Sequence, residues 1–179
     1  WRMQHKLFDH HGHPGKRAYF QRRVTIISRI LARSRWIKRD HLRRYNKNSV
    51  FDGPIADGVH RIKGNVTLRN GTTLEGSIFA TGSITMEDNV TVNARQLPDD
   101  SDRYPAYFPA LVAMRGSDTE QDEVDDTEDM NSAGATISGL IFSRRSVRFT
   151  GNSDITGLII ARSVYLEGST TVTYDSKYA

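Results

Sequence analysis

The chain has 179 residues, 37% of them hydrophobic, with fourteen glycines and five prolines. That length holds one ordinary domain, or one repeat domain with an appendage, and the glycine content suits a turn-rich β protein better than a helical bundle. No stretch approaches the ~18 consecutive apolar residues of a membrane span, no signal-peptide core is visible, and the lack of cysteine excludes disulfides and thiolate chemistry.

The formal net charge of +4 hides an uneven division. Residues 1–50 carry fourteen Lys/Arg against two acids, a local +12, whereas the remainder carries eleven against nineteen, a local −8. A basic arm over 1–50 and an acidic body over 51–179 are the expected divisions. The chain opens at Trp1 rather than at a methionine, as expected of a processed product; an anchor or export signal upstream is compatible with this.

Residues 1–18 include the turn-rich run Phe8-Asp-His-His-Gly-His-Pro-Gly15. His10, His11 and His13 could share an ion, but a metal site needs further ligands and a rigid frame. A solvated loop is the favoured reading, with no metal or other cofactor expected. Residues 19–46 lack Gly and Pro, and Phe20, Val24, Ile27 and Leu31 recur at helical spacing. This predicts one amphipathic helix over roughly 18–45. Its polar face is basic, formed by Arg22, Arg23, Arg29, Arg33, Arg35, Lys38, Arg39, Arg43 and Arg44. Docking on the acidic body is the first reading of this helix. Contact with an anionic membrane surface through residues 19–45 is the second. Phosphate contacts to nucleic acid come last, because no base-reading motif is present.

Asp52-Gly-Pro54 and Asp57-Gly58 are turn signals opening the next region. Short strands follow at Val59–Ile62, Asn65–Leu68, Thr73–Ala80, Ser83–Met86 and Val90–Val92, with Asn70-Gly71 and Asp88-Asn89 between them. Residues 98–133 break the pattern. They hold one strand candidate at Phe108–Met114 and an acidic run at Ser117–Asp129, expected as a solvated loop spanning about 115–133.

Two regular copies of an eighteen-residue pattern fill 135–174. Thr136-Ile-Ser-Gly-Leu-Ile-Phe-Ser is followed by Asp154-Ile-Thr-Gly-Leu-Ile-Ile-Ala, and Thr73-Leu-Glu-Gly-Ser-Ile-Phe-Ala fits the same template. Columns align Leu74, Ile137 and Ile155; Gly76, Gly139 and Gly157; Ile78, Ile141 and Ile159; Ile84, Val147 and Val164; and Met86, Phe149 and Leu166. The last copy closes one residue early, at Arg162-Ser163. A fixed period with apolar, glycine and polar columns marks a coil that stacks on copies of itself. The expected fold is an all-β, single-stranded parallel β-solenoid of about five coils, with the N-terminal helix packed beside it or capping one end.

Side chains of a strand alternate sides. The inward set therefore comprises Leu74, Ile78, Ile137, Ile141, Ile155 and Ile159. Leu140, Phe142, Leu158 and Ile160, with Phe79, then form an apolar patch on the outside, which calls for a cover. The 18–45 helix of the same chain and a neighbouring subunit are both candidates. Carboxylates at Glu75, Glu87, Asp88 and Glu167 are scattered one per coil, unlike the fixed pair of a glycosidase. No Ser/His/Asp pattern is present either. A non-enzyme is expected, with a carbohydrate-binding or carbohydrate-active β-helix as the rival class. The last coil stops at Val172-Thr-Tyr174 with no capping helix evident, which makes Val172 and Tyr174 the candidate self-association end.

Gly139-Leu-Ile-Phe-Ser and Gly157-Leu-Ile-Ile-Ala, with Val164-Tyr-Leu-Glu-Gly-Ser and Val172-Thr-Tyr-Asp175, resemble the C-terminal β-solenoid of PilX-type pilus-assembly and related envelope proteins. Gly64-Asn-Val-Thr-Leu68 and Tyr107–Ala113 fit the upstream part, so the likeness covers roughly 58–178. The same coil is similar to that of bactofilins, polymer-forming bacterial cytoskeletal proteins. These resemblances imply a right-handed β-helix and a scaffold role, with self-association or other filament and envelope proteins as partners. They also imply a bacterial envelope or extracellular appendage, or alternatively a membrane-associated cytoplasmic polymer. The chain departs from both families in its basic arm and acidic insertion.

Overall fold

The computed structural model describes residues 42–96, 107–114 and 130–178. All of them belong to one of two compact units of the chain, Arg39–Ala179. Of the helix predicted over roughly 18–45, residues 18–41 lie outside the described residues, as do His10, His11, His13 and the acidic run at 117–129.

The described chain is a parallel β-solenoid. Its strands are β1 (Leu42–Tyr45), β2 (Ser49–Phe51), β3 (Gly58–Ile62), β4 (Val66–Leu68), β5 (Thr73–Ala80), β6 (Ile84–Met86), β7 (Val90–Asn93), β8 (Leu111–Ala113), β9 (Met130–Ser132), β10 (Ala135–Ser143), β11 (Ser146–Phe149), β12 (Asp154–Ile160), β13 (Ser163–Leu166) and β14 (Thr171–Tyr174). They form two sheets. The longer is ordered β1-β3-β5-β7-β10-β12-β14, with β8 inserted between β5 and β10, and the shorter is β2-β4-β6-β9-β11-β13. Each turn of chain contributes one strand to each sheet, except the fourth, which gives the longer sheet both β7 and β8. Ile137 lies beside Ile155, and Phe149 beside Leu166, as the repeat requires.

The solenoid has about six turns rather than five, for two reasons. First, Leu42–Tyr45 is not the end of a helix. It is a strand whose residues pair with Val59–Ile62, so Arg43 and Arg44 belong to the first turn of the solenoid and not to an arm. Asn48 and Asn65 show why the chain turns there. Asn48 Oδ1 accepts from the Asn65 N–H, and Asn65 Oδ1 accepts from the Ser83 N–H one turn on. The opposite corner takes a left-handed residue at Gly53, Gly71, Asn89, Gly151 and Gly168. Glycine and asparagine carry little steric cost in that region. Asp52-Gly53 thus closes the first turn rather than opening the domain.

Second, residues 98–133 do not interrupt the stack. The fourth turn is assembled from three separate pieces. β7 pairs with the first half of β5, β8 pairs with its second half, and β9 continues the shorter sheet between β6 and β11. Ala94 N–H donates to Ser138 O and Ala110 N–H donates to Leu140 O, so the break falls between these two alanines at the column of Gly139. Gln96 and Tyr107 form an antiparallel bridge as the chain leaves and returns. The strand expected within Phe108–Met114 is thereby confirmed as β8. The turn resumes at Met130 rather than after 133.

The core runs along the axis as ladders. Leu74, Val92, Ile137 and Ile155 form one, and Val66, Ile84, Met130 and Val147 another; all are buried. Burying such side chains stabilises by about 1.5–3 kcal/mol each, and only stacked turns can bury them. In the column Leu68, Met86, Ser132, Phe149, Leu166 the small Ser132 lies beside the largest side chain of the set, as close packing of unequal residues requires.

Candidate association surfaces

The two ends of a solenoid are where its ladders stop, and here they differ. At the C-terminal end, residues of the core columns lie open. Val164 is 43% exposed, Leu166 50% and Val172 42%, although Val147, Phe149 and Ile155, one turn earlier in the same columns, are each 0% exposed. Tyr174, in the column of Gly157, is 66% exposed. The side chains face inward, but among the described residues no further turn covers them. β13 is the last strand of the shorter sheet and β14 the last of the longer, so both also present unpaired backbone groups among the described residues. Val172 and Tyr174, read from sequence as the self-association end, stand at this surface. Val164 and Leu166 were not singled out there, because strand parity places them inward and parity does not show which inward side chains are left open.

After β14 the chain makes a short 3-10 turn at Ser176–Tyr178. The Asp175 carboxylate accepts from the Lys177 N–H and pairs with its Nζ at 2.9 Å, contacts that hold the carboxyl below its ordinary pKa. Tyr178 packs edge-on against Tyr107, ring centroids 4.9 Å apart. The turn stays beside β12 and carries Tyr178 to Tyr107.

The N-terminal end is built differently. Tyr45 and Phe51 are half-buried, and their rings meet edge-on at 5.3 Å. Both lie 5.9 Å from the ring of His60, Tyr45 stacked and Phe51 edge-on. His60 occupies an inward column beside Ile78 and is 0% exposed. Its Nε2–H donates to Ala56 O at 2.7 Å, leaving Nδ1 to accept from the Tyr45 hydroxyl at 3.2 Å. Burial lowers its pKa from the ordinary 6.5, opposed by the Ala56 carbonyl and reinforced by the charge of Arg43. With a folded-state pKa below the unfolded one, stability is complete above about pH 6.5. It falls as pH drops from there through the folded value, because the unfolded chain takes up the proton first. Thermal denaturation at pH 5 and pH 7 is therefore expected to show an acid loss in the wild type that His60→Leu reduces. An equal loss in both proteins would assign the effect elsewhere.

The outer apolar patch is also present, and longer than the sequence suggests. Phe79, Val112, Phe142 and Ile160 stack as successive rungs on the side facing away from the core. Phe79, Val112 and Phe142 are buried, whereas Leu140, Leu158 and Ile160 are half-buried. The inserted Val112 of β8 joins two patches that are separate in sequence. Among the described residues the patch is therefore covered at its centre and partly open toward the C-terminal turn. The opposite sheet is polar outside, as expected: Thr67, Thr85, Asn131 and Arg148 form one ladder.

Carboxylates on this surface hold corners rather than converge. Glu87 accepts from the Asn70 N–H, Glu75 from Asn93 Nδ2, and Glu167 from Arg148 Nη1. Among the described residues there is no grouping of His, Asp and Glu that could hold a metal ion. No described helix is long and apolar enough to cross a membrane. Of the basic residues expected to form an arm, only Arg43 and Arg44 fall within the described residues, on β1; Arg22, Arg23, Arg29, Arg33, Arg35, Lys38 and Arg39 lie outside them. The chain finds no match among protein-family models, curated proteins or solved structures.

Proposed function

We propose that this chain is a scaffold subunit that self-associates through the ends of its solenoid, in a filament or envelope appendage of a bacterial cell. The observation that carries this is the exposure of core-column side chains at the last turn. Val164, Leu166 and Val172 are 42–50% exposed where their equivalents one turn earlier are fully buried. A sheet edge with free N–H and C=O groups is a template for pairing, and an apolar end surface beside it supplies the burial that stabilises the pair. A parallel solenoid is suited to a structural role because each turn contacts only its neighbours and can be continued by another copy.

Light scattering over a concentration series, with electron microscopy of the same samples, tests this. The wild-type chain is expected to form ordered oligomers or filaments. Leu166→Asp places a charge on the end surface at a position already half exposed, so it should leave the fold intact. Burying that charge in a joint is costly, and association should weaken on the order of 100-fold, about 2.7 kcal/mol. A wild-type monomer at all concentrations, or association indifferent to Leu166→Asp, would count against the end surface.

A further inference from the structure

We infer that two copies join head to tail by a half-lap joint, in which β14 of one copy and β1 and β2 of the next together make one complete turn. This rests on the scaffold reading above and specifies its partner, polarity and register.

The strand registers carry it. β14 pairs only with Asp154–Gly157, the first half of β12, and ends with Tyr174 in the column of Gly157. Among the described residues, Leu158–Ile160 have no strand on that edge. β1 covers the other half. Leu42 pairs with Val59, and Val59 with Ser77; Ile78 and Ile141 both pair with Leu111, and Leu140 pairs with Leu158. Leu42 therefore occupies the column of Leu158, directly after that of Tyr174. Among the described residues, β14 and β1 supply columns 154–157 and 158–161 with neither gap nor overlap. The missing half-turn at one end is the projecting half-turn at the other.

The shorter sheet agrees independently. Ser49, Val50 and Phe51 fall in the columns of Val164, Tyr165 and Leu166 through the unbroken ladder β2-β4-β6-β9-β11-β13. In the joint, Phe51 would cover Leu166 as Phe149 does from the other side. The outward column reads Val50, Thr67, Thr85, Asn131, Arg148, Tyr165, and only its two end members are large and apolar; Val50 is 58% exposed and Tyr165 44%. Head-to-tail stacking brings these two together.

The protein already builds one turn this way. In the fourth turn β7 and β8 are separate segments that share a rung, and the break between Ala94 and Ala110 falls at the same glycine column where β14 stops and β1 begins. The ladders of the joint would be β12–β1 and β13–β2. Opposite β14 the next copy presents Pro54, which lacks an N–H, and Ala56, whose carbonyl is taken by His60, so that half is contact without a ladder. Arg43 is the charge this joint must cover, and Tyr174, two columns away on the same side, offers it an aromatic face.

The cysteine-free chain makes the test direct. Adjacent parallel strands lie about 4.8 Å apart, which suits a disulfide between facing residues. Val50→Cys and Tyr165→Cys proteins, mixed and mildly oxidised, should give a covalent heterodimer; either alone, or Val50→Cys mixed with Thr85→Cys, should not. Wild-type assemblies should show an axial repeat of about 29 Å, six rungs of about 4.8 Å. Tyr165→Cys homodimers in place of the heterodimer, or a repeat near twice that value, would overturn the head-to-tail joint while leaving self-association standing. So would association of the wild type with no heterodimer in the mixture and no repeat near 29 Å. A wild type that stays monomeric would overturn both.

Discussion

Gly157→Val should unravel the C-terminal turns while sparing the rest of the solenoid. Gly157 has φ +146°, in the half of conformational space that a β-branched residue avoids. A Cβ there would lie 2.2 Å from the Gly139 carbonyl oxygen on the turn below. Backbone cannot yield as a flexible side chain does. Strain of roughly 1–3 kcal/mol therefore adds to an overpacking cost of roughly 1–3 kcal/mol, before either γ-methyl of valine is placed. Because each turn touches only its neighbours, the damage should remain local. Hydrogen exchange is expected to accelerate across β12, β13 and β14, with little change in β3 to β6. Uniform acceleration along the whole stack, or none, would contradict this picture of the glycine column. The same substitution should abolish end-to-end association if the last turn forms the joint.

Phe149→Ala should be the most destabilising truncation in the core, at about 3–5 kcal/mol. Phe149 is fully buried and stands in its column between Ser132 and Leu166. Ser132 is too small to expand into the space, and its hydroxyl has no hydrogen-bond partner among the described residues. Leu166 is half exposed and held from one side only. The cavity should therefore persist rather than collapse, and the cost should fall at the upper end of that range. Phe149→Leu retains most of the volume and should lose clearly less. Urea denaturation of the three proteins measures the difference, and equal midpoints for Phe149→Ala and wild type would show that this column does not support the stack. A loss of this size between β11 and β13 should also separate the C-terminal turn from the rest before global unfolding.

The period itself was written in the chain. Leu74, Ile137 and Ile155 repeat at a spacing that only stacking explains, and their inward parity follows from strand alternation, so the core ladders and the polar face of Thr85 and Arg148 could be read directly. The one-residue shortening at Arg162-Ser163 was equally legible, and the pairing of Ser146 with Ser163 follows it. Two turns were not. The first carries Arg43, Arg44 and Tyr45, and the second His60 and Arg61 beside them, where turns from Ile78 and Phe79 onward are mostly apolar, so hydrophobic spacing continued the helical pattern into a strand. The signals that would have placed it are polar: Asn48 ahead of Asn65 at one corner, and Asp52-Gly53 ahead of Asn70-Gly71 at the other.

The fourth turn was hidden for a different reason. Its three pieces lie far apart in sequence, and no local rule states that Val92, Leu111 and Met130 share a rung. Sequence alone determined that this is a stack, because repetition and alternation are properties of neighbouring residues. Only the tertiary structure decided how many turns there are, that Phe79, Val112 and Phe142 form one outer ladder, and that Tyr174 and Leu42 occupy adjacent columns. Those facts depend on register between strands, and register is fixed by contacts that the linear order of residues does not contain.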